Sequence, residues 1–123
     1  MSRIVAIRTE LRDKTVLMAC LEHLECQVLY QESGIQMSGT RVPVQILVHA
    51  PFGSLGFRET QDGRFEVVGD DMILERQQDF LDHLTQQYAY RKIVKDAQRA
   101  GYNLVYEEVG EDKTIKLIVR KWS

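Results

Sequence analysis

Proline is nearly absent from this sequence, with two in 123 residues, and cysteine and tryptophan are as scarce, at two and one. So little proline leaves no Pro-rich linker or polyproline segment. Two cysteines are too few for a disulfide scaffold and suit a reducing compartment. No apolar run approaches the ~20 residues that a membrane span needs. The opening MSRIVAIRTEL carries Arg3 and Arg8 and has no apolar stretch of signal length. A soluble cytoplasmic protein is expected. An excess of positive charge is missing too: 16 Lys and Arg stand against 18 Asp and Glu, for a net charge of −2. That balance disfavours general nucleic-acid binding and leaves room only for local basic patches. Neither the phosphate loop nor the dinucleotide fingerprint occurs, and Ser33, Ser38 and Ser54 lack a nucleophile-elbow context.

What is present fits one domain over residues 1–123. Arg3–Thr9 alternates and is rich in β-branched residues, which predicts a strand. Asp13 is placed to cap a helix running to about Glu25, with Leu17, Leu21 and Leu24 on one stripe. QVLYQ reads as a short strand, and the Gly/Ser-rich ESGIQMSGTR as a mobile loop. Pro43 can open the strand VQILVHA. SLGFRETQDGRFEVVGD predicts a hairpin turning at Asp62-Gly63. A long helical pattern follows from about Leu74 to Ala100, stopped by Gly101. A last hairpin turns at Gly110–Lys113, pairing Val109 with Thr114, Glu107 with Lys116 and Tyr106 with Leu117. Leu104, Tyr106, Ile115, Leu117 and Val119 then share its core face. The order β-α-β-β-β-β-α-β-β lacks regular βαβ alternation, so the expectation is an α+β fold with a largely antiparallel sheet and two helices.

Three constellations are candidates for chemistry. In CLEHLEC, Cys20, His23 and Cys26 lie three apart. A zinc site wants four protein ligands, or three with a water, and only His49 and His83 remain to complete a set. No metal and no cofactor are expected there; the stretch reads as the end of an amphipathic helix. Arg58, Glu66 and Asp70, with Asp71 beside them, define a possible polar site for a small enzyme or ligand-binding domain. Adjacent acids after a strand are also ordinary helix starters. The long helix gives the sharper signal. Phe80, Leu81, Leu84 and Tyr88 share one face, whereas Ala89, Tyr90, Ile93, Val94 and Ala97 centre on the opposite one. The helix therefore either kinks near QQYAY or buries opposite faces in its two halves. Arg91, Lys95 and Arg99 recur at four-residue steps with no acid four residues away, while Asp96 pairs naturally with Lys92.

The chain resembles the conserved hypothetical chloroplast reading frame thirty-five family, a domain of unknown function in cyanobacteria, algal plastids and other bacteria. The resemblance is carried by QQYAYRKIVKDAQRAGY and DKTIKLIVRKWS, with Tyr88, Ala89, Tyr90, Gly101, Tyr102, Trp122 and Ser123 at the family's positions. LGFR, GRFEVV and Asp70 match in the middle, and MSRIVAIRTELRD more loosely at the start. Departures fall at Cys20, Cys26, Arg91 and Lys92. The family has no established activity. Relatives are often encoded beside ring-forming ATPases or a small ferredoxin, which implies an accessory role, and a plastid-encoded member would work in the stroma.

These observations favour a non-catalytic interaction module that binds an acidic protein partner through the Tyr88–Arg99 helix. Tyr90 and Trp122 are its expected anchors and Arg91, Lys95 and Arg99 its steering charges. The implied partner is a ring-forming ATPase or a ferredoxin-type neighbour, rather than nucleic acid or a membrane.

Overall fold

The computed structural model of the chain describes residues 3–109 and 115–121, the stretch from residue 102 onward by its backbone. Alternating residues form β1 (Ile4–Arg8), and Asp13 then caps α1 (Lys14–His23). The next four strands are β2 (Gln27–Ile35), β3 (Val44–Ala50), β4 (Gly53–Glu59) and β5 (Phe65–Asp70). They join β1 in one antiparallel sheet ordered β1-β5-β4-β3-β2, so β1 and β2 are its edges. The turn at Asp62-Gly63 forms as the sequence predicts, with Gly63 at φ 83° and its N–H donated to the Thr60 carbonyl.

The end of α1 answers the question raised by CLEHLEC. Glu25 adopts φ 64°, the Cys26 N–H reaches back to the Leu21 carbonyl at 3.1 Å, and the Glu25 N–H to that of Glu22 at 3.0 Å. This is the Schellman stop, in which the residue after the left-handed position packs back on the helix. Cys26 is accordingly buried, and so is Cys20. Burial raises both thiols above their ordinary range.

One face of the sheet carries the main core. Ile46, Val48, Leu55, Phe57, Phe65 and Val67 pack against Leu17 and Leu21 of α1 and the helices that follow β5. The pleat turns Val68 to the other face, where it meets Met37 and Val44. Here the structure corrects one expectation. Glu32–Ile35 belong to β2, and Met37 in the Gly/Ser-rich segment is buried against the sheet. Gly56 permits this approach, since a Cβ there would lie 2.7 Å from Val44 Cγ1 and 3.0 Å from Met37 Sδ. Beyond Ile35 the segment lacks periodicity because it covers the sheet without being a strand.

The long helical pattern is also corrected. It divides into α2 (Asp71–Arg76) and α3 (Gln78–Arg99), separated at Gln77, and α3 runs unbroken through QQYAY. Neither Pro nor Gly marks the break at Gln77. At 22 residues α3 is about 33 Å long, and its two halves have different neighbours. Phe80, Leu81, Leu84 and Tyr88 face the sheet core, while the distal half lies beside α1 and β6. The chain closes with β6 (Tyr102–Val109) and β7 (Ile115–Lys121), a separate two-stranded antiparallel sheet. Its register differs from the expected one: Val109 pairs with Ile115, Glu108 with Lys116, Glu107 with Leu117 and Tyr106 with Ile118. Five residues, not four, separate the paired ends, which displaces the pairs from Tyr106 to Val109 by one; an irregularity between Leu104 and Tyr106 restores the expected register at Leu104–Val119, Asn103–Arg120 and Tyr102–Lys121. The expected core face of this hairpin concerns side chains outside the described residues. The α+β class and the element order agree with the sequence reading.

Candidate functional site

The distal half of α3 crosses the start of α1, and Asp13 stands at the crossing. As the residue before α1 it has extended backbone, φ −90° and ψ 103°, and its Oδ1 accepts the Val16 N–H at 3.2 Å. Its other oxygen, Oδ2, accepts from Lys95 Nζ at 2.7 Å and from Lys92 Nζ at 3.3 Å. Burial alone would raise the Asp13 carboxyl, whose side chain is only 15% exposed. Lys95, the Val16 N–H and Lys92 together outweigh that effect and hold it at about 2. Lys92 also reaches Asp96 Oδ1 at 3.2 Å, the pairing its spacing predicts, and the two carboxylates raise its ammonium.

Tyr88 fastens the same crossing from within. Its hydroxyl oxygen accepts the N–H groups of Arg12 at 3.0 Å and Asp13 at 2.8 Å. These are donors just ahead of α1, where no helical carbonyl can serve them. Tyr88 is buried at the point where α3 leaves the sheet core for α1.

Beyond these contacts lies an open cleft of about 380 Å³ between the helices. Thr15, Val16 and Ala19 of α1 form one wall, and Tyr90, Arg91 and Lys95 stand on the other. Arg91 is half-buried, and its Nε is buried without an acceptor among the described residues. Arg99 is exposed in the last turn of α3, and Arg12 is exposed ahead of α1. The cations around the crossing are Arg12, Arg91, Lys92, Lys95 and Arg99, and among the described residues the carboxylates that pair with them there are Asp13 and Asp96; Lys14 turns away to the Tyr30 hydroxyl. A chain of net charge −2 therefore has a basic corner.

The sequence-expected residues distribute unevenly over this geometry. Tyr90, Arg91 and Lys95 come together in the cleft and Arg99 follows one turn on, but Lys95 is engaged by Asp13 and is not a free steering charge. Trp122 lies outside the described residues. Lys92 and Asp13 belong to the cluster and were not among the expected site residues. No local spacing could reveal them as a group, because Asp13 lies 79 positions from Lys92 and 82 from Lys95.

Arg58, Glu66 and Asp70 are occupied in other ways. Arg58 and Glu66 face each other across β4 and β5, and Arg58 Nη2 donates to Glu66 Oε2 at 2.7 Å, with Nε at 3.2 Å. Asp70 caps α2, its Oδ1 accepting the N–H groups of Met72 and Ile73. Each carboxylate thus has a structural partner, which weakens the case for acid and base roles.

Fold and site define a small α+β protein with a basic crossing between two helices. The chain belongs to the family described as protein of unknown function DUF1257, whose model matches residues 20–118. It is 29% identical to the uncharacterized protein ycf35 of Pyropia yezoensis over all of this chain and 99% of that one. It is 25% identical to the ycf35 protein of Cyanophora paradoxa over 99% of this chain and 98% of the relative. A third ycf35 protein, from Guillardia theta, is 46% identical over 43 residues, covering 35% of this chain and 34% of its own. The family is the one the sequence resembles. No solved structure matches the chain. No helix among the described residues is long and apolar enough to cross a membrane.

Proposed function

We propose that this chain is a non-catalytic interaction module, an accessory part of a protein assembly, which binds an acidic partner where the Tyr88–Arg99 helix crosses α1. One observation carries the reading: a single carboxylate, Asp13, is divided between two lysines while the neighbouring Arg91 keeps a buried donor with no acceptor among the described residues. Buried donors without partners are costly, and a carboxylate entering the cleft removes that cost. Arg91 and Tyr90 lie in the wall that such a group would meet, and Arg and Tyr are efficient interface anchors. Arg99 and Arg12 extend the attraction outward, and Trp122 is a further anchor. Such a module works in the cytoplasm, or in the plastid stroma where plastid-encoded. A ring-forming ATPase or a ferredoxin-type protein is the partner class that the family resemblance favours.

The test is affinity capture of the tagged chain from its host at low salt after nuclease treatment, beside an Arg91→Gln/Arg99→Glu variant. Lys95 is left intact, because reversing it would strip Asp13 of its closest cation and disturb α1. The expected result is an acidic protein held stoichiometrically by the wild type and lost at least ten-fold by the variant. Equal capture by both chains, or no stoichiometric partner, would overturn the reading.

A further inference from the structure

We infer that the free edge of β1 is a second docking surface, which takes an extended partner segment alternating apolar residues with carboxylates. Its groove reaches the crossing of α1 and α3, where Tyr88, Lys92 and Asp96 line it, but not the cleft that holds Arg91.

The backbone of β1 has its outer groups ready to pair. The Asp71 N–H donates to the Arg3 carbonyl at 2.9 Å and the Thr9 N–H to the Phe65 carbonyl at 3.2 Å. Antiparallel pairing alternates, so Val5 and Ile7 turn their backbone groups toward β5, while Ile4, Ala6 and Arg8 turn theirs to the open edge. No strand of the five-stranded sheet lies beyond β1. A partner strand added there would receive main-chain bonds from these three residues.

Side chains supply the selection. On the helix side of the edge, Ile7 is 43% exposed and begins an apolar groove that passes Leu11, Leu81 and Thr85 to Ile93, itself 50% exposed. Two adjoining hollows of about 170 and 530 Å³ share Thr9, Leu11 and Thr85, which makes the groove continuous. On the opposite face the register aligns Arg8 with Glu66 and Glu66 with Arg58. That cross-strand row reads positive, negative, positive, and its outer member, Arg8, is exposed with no ion pair among the described residues. An incoming carboxylate opposite Arg8 would continue the alternation. Its chain neighbours, one residue either way, would then point into the groove, because side chains alternate across a strand. The pattern demanded of the partner is therefore apolar, acidic, apolar.

Charge also decides between occupants. In an antiparallel pair of two β1 strands centred on Ala6, Arg8 would stand opposite Ile4 of the second copy and meet no carboxylate there. The Arg3 side chain is 82% exposed at the far end of the strand, its guanidinium 3.9 Å from the Asp71 carboxylate. An acidic segment meets both arginines favourably.

The probe is a fluorescent octapeptide of alternating glutamate and valine, with alternating lysine and valine as its counterpart, followed by anisotropy at low salt. The wild type is expected to bind the glutamate peptide at least ten-fold more tightly than the lysine peptide. Ala6→Pro removes one outward N–H without touching the ladder to β5, and binding should be lost with the melting temperature little changed. Arg8→Glu should invert the preference between the peptides. The same comparisons are made in the Arg91→Gln/Arg99→Glu background, which removes the contribution of the inter-helix site, so failure here is distinct from failure of that site. No binding, or binding that Ala6→Pro and Arg8→Glu leave unchanged, would overturn the inference. So would a concentration-dependent dimer that Ala6→Pro dissolves, since a second copy would then own the edge.

Discussion

Replacing Phe57 with alanine is expected to destabilise the chain by about 3–5 kcal/mol. Phe57 is fully buried on β4, with Ile46 opposite it on β3 and Val67 on β5, both in the same core under the helices. β4 is the central strand of the sheet, so neighbouring strands limit how far the site can collapse. Truncation therefore loses both the transfer free energy of the ring and the contacts around the cavity left behind. Against a total of about 5–15 kcal/mol for a domain of this size, that is a large fraction. Urea denaturation followed by circular dichroism should show a lower midpoint with an unchanged slope. The contrasting change is Ile93→Ala, where half the side chain is already in water and the loss should stay within about 0.5 kcal/mol. Similar losses at the two positions would mean that the core is not where the structure puts it.

Asp13→Ala should follow in magnitude, at about 2–3 kcal/mol at neutral pH. Loss of an N-cap costs about 1 kcal/mol. The carboxyl's shift from 3.8 to about 2 corresponds to roughly 2.5 kcal/mol at pH values where it is ionised in both folded and unfolded chains. The two figures overlap, because the Val16 N–H contributes to both. The sign is definite. The folded-state value is depressed, so the stabilisation is complete above about pH 4 and disappears as pH falls through about 2. Wild-type stability should therefore drop over that window by more than that of Asp13→Ala. Asp13→Asn keeps a capping side chain but carries no charge, so it should lose the acid limb at a smaller overall cost. Parallel acid profiles for wild type and Asp13→Ala would show that the lysines do not depress this carboxyl.

Local features were the legible ones. Asp13 announces a helix start and Asp62-Gly63 a turn because capping and positive φ are decided within a few residues. The break at Gln77 was invisible, because its neighbours are good helix formers and neither Pro nor Gly is among them. The Gly/Ser-rich segment was misread because Met37 is its single buried residue among the core groups, and one residue makes no period. At the site, the basic face of α3 could be read from Arg91, Lys95 and Arg99. Its compensation by Asp13 could not, since it depends on α1 arriving from 82 positions away. The edge position of β1 likewise follows from strand order, which no local pattern encodes.

Binding of a poly-glutamate peptide to wild type and to Asp13→Asn tests the central claim most directly, at a temperature where both are folded. The Ala6→Pro background removes any contribution from the β1 edge. If the crossing of α1 and α3 is an acid-binding surface, Asp13 occupies it as an internal carboxylate. Removing its charge should free Lys95, while Lys92 keeps Asp96, and tighten binding at least three-fold, with affinity falling as salt is raised. Arg91→Gln/Arg99→Glu should weaken it. Unchanged or weaker binding by Asp13→Asn, with no effect of the arginine changes, would contradict the account.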